Sequence, residues 1–170
     1  GVRLHPFCTR SYLEDVVMKR IEEGMAKTGR TRETFEITGG GFVATGETDE
    51  EVDKIAEWVR YRIAFYGSTP SYWPVFEHHG HGDLGRKLNK MTKEGKWDQI
   101  AAEIPDDVLH DFAAIARYDQ LQTAVEKRFG GAADAIYAST SQDIRPAIPA
   151  EVLQDMARIP TAFQGFSKLW

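Results

Sequence analysis

Residues 35–65 read FEITGGGFVATGETDEEVDKIAEWVRYRIAF, and this stretch decides the fold class. It opens on a strand candidate, Phe35 to Thr45, with Phe35, Ile37 and Val43 as its apolar members. Gly39-Gly40-Gly41 interrupts the strand. A glycine run inside a strand marks a bulge, or the close approach of another backbone or a ligand. Thr48 and Glu51 stand three apart, the spacing of a capping box. Val52, Ile55, Ala56, Val59 and Ile63 then recur at helical spacing and carry an amphipathic helix to Phe65. Strand, short loop and amphipathic helix form the repeating unit of an α/β fold with parallel pairing.

Upstream, residues 2–7 are a short strand candidate. Ser11 and Glu14 form a second capping-box spacing, for a helix carrying Leu13, Val16, Val17, Ile21 and Met25 and ending at Gly29. Downstream, Gly67 is a candidate C-terminal cap and Pro70 fits a first helical turn. Tyr72, Trp73, Val75 and Phe76 form an aromatic and apolar cluster. Asp83 is the expected cap of a helix through Leu88 and Met91. Shorter helices are expected at 97–103, 105–116 and 119–129. A third strand is expected at 134–139 and a last helix at 151–159. The order is strand, helix, strand, several helices, strand, helix, so three strands contribute to an open or larger sheet.

The chain has 170 residues, 42% hydrophobic and 28% charged, with a net charge of -5. That length supports one domain with a real core. A mildly acidic chain without a basic run is a poor match to a phosphate backbone, so no nucleic-acid partner is expected. No apolar run approaches membrane-spanning length, so no membrane partner is expected either. Cys8 is the one cysteine, which excludes an intrachain disulfide and suits a reducing, cytoplasmic setting. The chain opens on Gly1 already inside a strand candidate, which reads as a fragment or a processed start.

Several strings resemble the luciferase-like monooxygenase superfamily, within it the branch dependent on coenzyme F-420. They are residues 1–7, 20–29 and 40–48, then Ile63 to Tyr72 and Gly80 to Gly85, with Gly95-Lys96-Trp97-Asp98 and Ile104-Pro105-Asp106-Asp107 in the same pattern. The resemblance covers roughly residues 1–140, and the tail after Ser141 matches nothing recognisable. It implies the C-terminal part of a (β/α)8 TIM barrel, one partial domain over 1–170, with the last three barrel strands at 2–7, 35–45 and 134–139. Residues 68–118 become a helical insertion. The implied activity is that of an oxidoreductase or monooxygenase using F-420 or FMN and a small-molecule substrate. This segment would supply a pocket wall and lid and be inactive alone. The alternative is a non-catalytic assembly module that pairs with another copy, or with the N-terminal half of the barrel, through exposed edges.

In such a barrel, function gathers at the C-terminal ends of strands. His5 is then a candidate cofactor contact or proton donor, or else a strand-end histidine with local bonds. Gly40 and Gly41 are candidates to admit a cofactor close to the backbone, or else mark a bulge. Tyr66, Ser68, Thr69, Tyr72, Trp73 and His78 are candidate pocket residues, since aromatic walls with a few hydroxyls suit a flat ligand. Ser68 or Thr69 also fits a helix cap. The Ser139-Thr140-Ser141 loop has the character of an anion-friendly strand end. His78-His79-Gly80-His81 invites a metal reading, but adjacent histidines point apart and no metal site is expected. No catalytic residue is assignable from the sequence.

Overall fold

The computed structural model describes residues 1–137 and 147–165. The glycine run shapes it first. Gly39 and Gly40 both take positive φ, +93° and +95°, a region closed to most side chains. The expected single strand at 35–45 therefore breaks into β2 (Ile37–Gly39) and β3 (Phe42–Gly46). The two halves have different neighbours. β2 runs parallel to β1 (Val2–Leu4), with Val2 opposite Ile37 and Leu4 opposite Gly39. β3 runs parallel to β4 (Ala113–Arg117), from Phe42 opposite Ala113 to Gly46 opposite Arg117.

β4 corrects two expectations. Residues 105–116 were expected to be one helix, and the helical stretch was expected to reach 118. The helix instead covers Asp106–Phe112, and the backbone turns extended at Ala113. Ala113 and Ala114 are good helix formers, and Ile115 keeps the helical spacing of Val108 and Phe112. A strand covered on both faces has no polar alternation to reveal it.

The third strand expected at 134–139 contributes, in its described part, one parallel bridge from Ala135 to Thr38. Ser139, Thr140 and Ser141 lie outside the described residues.

The helices follow their caps. α1 (Arg10–Tyr12) passes through a π-helical segment, Leu13–Val17, into α2 (Met18–Thr28). Its cap is Thr9, whose Oγ1 accepts the Tyr12 N–H, while Glu14 of the expected Ser11 box pairs with Arg10. Gly29 closes α2 with φ +65°. At α3 (Asp49–Gly67), Thr48 Oγ1 accepts the Glu51 N–H, and Glu51 reaches back to the N–H of Glu47. Ser68, not Gly67, is its C-cap. A one-turn 3-10 segment, Pro70–Tyr72, leads into α4 (Trp73–His78). α5 (Gly82–Lys93) is preceded by His81 rather than capped by Asp83. The helix expected at 97–103 is a 3-10 turn, Ile100–Glu103. α6 is Asp106–Phe112, α7 is Leu121–Phe129 and α8 is Ala150–Met156.

β3 separates two cores, as the two-residue period of a strand requires. Phe42 and Ala44 face a larger core with Ile55, Val59, Ile63, Phe76, Leu88, Ile100 and Phe112. Val43 faces a smaller one with Leu121, Val125, Phe129 and Val152. Each fully buried Phe or Ile contributes about 1.5–3 kcal/mol. The larger core thus fixes α3 and the helices 73–112 against the sheet, and that positions the cleft at His5.

Candidate functional site

His5 follows β1 directly. The Phe7 N–H donates to His5 Nδ1 at 3.1 Å. A ring nitrogen that accepts carries no proton, so in the neutral ring Nε2 is the protonated nitrogen. Nε2 lies 3.3 Å from Tyr72 Oη. The imidazole stacks on Tyr72 at 4.8 Å between ring centroids, and Tyr66 meets it edge-on at 4.6 Å. Partial burial, and then the charge of Arg62, lower the His5 pKa below its ordinary value. The ring is therefore neutral at pH 7 and presents an N–H toward a phenol oxygen.

α3 forms the opposite wall. Trp58, Arg62 and Tyr66 lie four residues apart on one helix face. The Arg62 guanidinium sits 4.7 Å from the Tyr66 ring centroid and donates to Tyr66 Oη. Its Nε is buried without a hydrogen-bond partner among the described residues. With Arg3, Phe42, Trp58 and His5, these residues surround a cleft of about 490 Å³. A second recess of about 200 Å³ opens on the other side of His5 and Tyr72, against Tyr12 and Ser71.

Three expected residues, His5, Tyr66 and Tyr72, come together here. The others lie elsewhere. Ser68 is buried, and its Oγ donates to the Phe65 carbonyl. Thr69 precedes the 3-10 turn without a side-chain cap bond. Trp73 Nε1 donates to the Gly67 carbonyl and packs on α5 at Gly85. His78 faces Asp15, with Nε2 3.3 Å from Oδ2, and its ring meets Tyr12. Gly40 abuts Leu4 and Leu13, and Gly41 abuts Arg128 and Phe129. Arg62, Trp58 and Arg3 escaped the sequence reading. The one local signal for Trp58 and Arg62 was their four-residue spacing with Tyr66, and Arg3 had none.

The histidines after α4 also have partners. His79 Nε2 is 2.7 Å from Thr9 Oγ1, and its Nδ1 is 3.4 Å from Asp111 Oδ2. Burial lowers its pKa against the opposing pull of Asp111. No three His, Cys, Asp or Glu side chains converge on a metal position among the described residues. No helix among them is long and apolar enough to cross a membrane.

Known proteins give the same chain a context. An uncharacterized protein from Mycobacterium bovis is 36% identical over 157 residues, 91% of this chain and 45% of the relative. A Mycobacterium tuberculosis counterpart gives the same values. A 5,10-methylenetetrahydromethanopterin reductase from Archaeoglobus fulgidus is 27% identical over 106 residues, 58% of this chain and 30% of that protein. The chain thus spans about half the length of its mycobacterial relatives, 45%. No solved structure matches it. The profile of the luciferase-like monooxygenases matches residues 5–134, from His5 at the cleft to Asp134 beside β2. That match takes in every element from α1 to α7, so the chain belongs to the luciferase-like monooxygenase family.

Proposed function

We propose that this chain forms one wall and the lid of the substrate pocket in an oxidoreductase that uses coenzyme F-420 or FMN. The observation that carries the reading is His5, held between Tyr66 and Tyr72 and beside Arg62 in the 490 Å³ cleft. A volume of about 300–1,000 Å³ is typical of small-molecule sites. Aromatic walls with two arginines and one imidazole fit a flat polar ring. When bound, the cofactor supplies the redox chemistry. His5 would orient a ligand through Nε2–H, and Arg62 would hold negative charge on it. α4 and the preceding turn would keep water out. A reductase among the relatives supports a reducing direction.

In this reading β1, β2 with β3, β4 and the Ala135 bridge are parallel strands of a (β/α)8 barrel, in its C-terminal portion. The barrel's remaining strands would come from sequence beyond this chain, and the chain alone would be inactive. Titration of this chain, and of the longer M. tuberculosis relative, with F-420 and with FMN tests it. Quenching of cofactor fluorescence by the relative, weakened at least tenfold by substitution of its counterpart of Arg62, is the expected result. If neither cofactor binds the relative, the reading fails.

The second reading is self-association, or pairing with the N-terminal half. β1 and β4 each pair on one side only among the described residues, and open strand edges recruit partners. Gel filtration decides it, since a monomer at all concentrations excludes self-association.

A further inference from the structure

A second cleft carries a different chemistry. Arg128, on α7, is 6% exposed. Its Nη2 donates to the carbonyls of Cys8 and Gly40. Its Nε and Nη1 are buried and have no hydrogen-bond partner among the described residues. Burial pushes its pKa down to about 10, which leaves it cationic at neutral pH. A buried charge with unused donors is costly unless an anion or acceptor meets it.

Arg128 lines a cleft of about 450 Å³ together with Arg10, His110, Asp111, Ala124 and Lys127. Three cations thus surround one space in a chain whose net charge is -5. Arg10 is shared with Glu14 and with the Gly130 carbonyl. Lys127 is exposed. Asp111, the one carboxylate in the lining among the described residues, is partly engaged by His79. Ala113, Ala114 and Ile115 supply an apolar side. This cleft shares no lining residue with the one at His5.

We propose that this cleft binds the phosphate group of a small molecule, with Arg128 as its buried donor and Lys127 and Arg10 as flanking cations. Guanidinium groups match phosphate oxygens with charge-assisted hydrogen bonds. The excess of cations favours a dianion over a neutral ligand. The cleft is larger than a phosphate, and its alanine and isoleucine side takes an apolar remainder.

The test uses inorganic phosphate and phenyl phosphate on the 170-residue chain, at ionic strength held constant with chloride. Both are expected to raise Tm saturably, with phenyl phosphate half-saturating at lower concentration. Lys127→Ala weakens binding about three- to tenfold, and Arg128→Met abolishes it. Should the Arg128 variant not fold, Ala124→Glu places a carboxylate in the cleft and removes the phosphate-induced shift. Equal Tm in phosphate and chloride overturns the proposal, as does unchanged binding in both Lys127→Ala and Ala124→Glu. Equal affinity for the two phosphates overturns the small-molecule part. No redox cofactor enters the assay, so its outcome is separate from the F-420 or FMN reading.

Discussion

A neutral imidazole between two phenols makes the protein sensitive to acid. His5 and His79 both have pKa values lowered from the ordinary 6.5, chiefly by burial. As pH falls through 6.5 the unfolded chain takes up these protons first, and the folded chain resists them. Stability is therefore greatest above 6.5 and is lost as pH drops toward the lowered values. Tm is expected to fall between pH 7.5 and 5.5, and the fall should shrink in a His5→Gln, His79→Gln double variant. An identical slope in that variant would remove these two histidines as the cause. Cys8 behaves oppositely. Burial raises its thiol to about 11, against the pull of Arg128, so almost no thiolate exists at pH 8. Iodoacetamide should alkylate it at least a hundredfold faster in urea than in the native chain, and equal rates would contradict the burial. The site was partly legible in the sequence. His5 ended a strand candidate, and Tyr66 and Tyr72 stood in an aromatic run. The contact between His5 and Tyr72 spans 67 residues, and no local pattern encodes it. Arg62 had only its four-residue spacing from Trp58 and Tyr66 to mark it. A charged residue on a half-exposed helix face gains meaning only once β1 is known to pass beside it.

At the scale of elements, caps were easier to read than strands. Thr48 and Gly29 act through neighbours three to five residues away, so short spacings predicted them. β4 depends on β3, seventy-one residues earlier at Phe42 opposite Ala113, and its own composition favours helix. Ser11 failed as a cap because Thr9, two residues earlier, offered the same hydroxyl. Gly67 also misled, because its value lies in packing rather than in dihedral freedom. A Cβ there would come within 2.3 Å of the Phe76 ring, at the seam between α3 and α4. Gly67→Ala should overpack that seam and cost about 1–3 kcal/mol. Gly24 is the control. It lies inside α2 with nothing within 4 Å of a built Cβ, so Gly24→Ala should stabilise by roughly 0.5–1 kcal/mol. Urea denaturation of both variants checks the pair. If both stabilise, the α3–α4 seam is looser than the geometry states.

For the whole molecule, one carboxylate joins pieces far apart in sequence. Asp134 has a side chain 3% exposed and takes Arg32 Nη2 on both oxygens, at 3.0 and 2.9 Å. Its Oδ2 also accepts the Ile37 N–H at 2.8 Å, which ties it to the start of β2. Its Oδ1 accepts the N–H groups of Ala162 and Phe163 at 3.1 and 3.0 Å. The strand pair β1–β2, the Ala135 bridge and the segment after α8 therefore share one anchor. That segment is also tied by the Gln164 N–H to the Glu33 carbonyl at 2.8 Å. Removing one partner of a buried pair leaves the other charge unpaired, at a cost of about 3–5 kcal/mol. Asp134→Ala should cost that much, and it should also release the Ala162 and Phe163 amides. Arg32→Ala should destabilise too, but it leaves those amides bound to the carboxylate. Native-state hydrogen exchange separates the cases. Ala162 and Phe163 should exchange at least tenfold faster in Asp134→Ala than in Arg32→Ala at matched global stability. Equal exchange in the two would mean that the C-terminal segment is held by the apolar packing of Val152, Met156 and Ile159 and by the Gln164–Glu33 bond, without Asp134. Asp134 would then be a local ion pair of β2 rather than the joint between the sheet and the segment after α8.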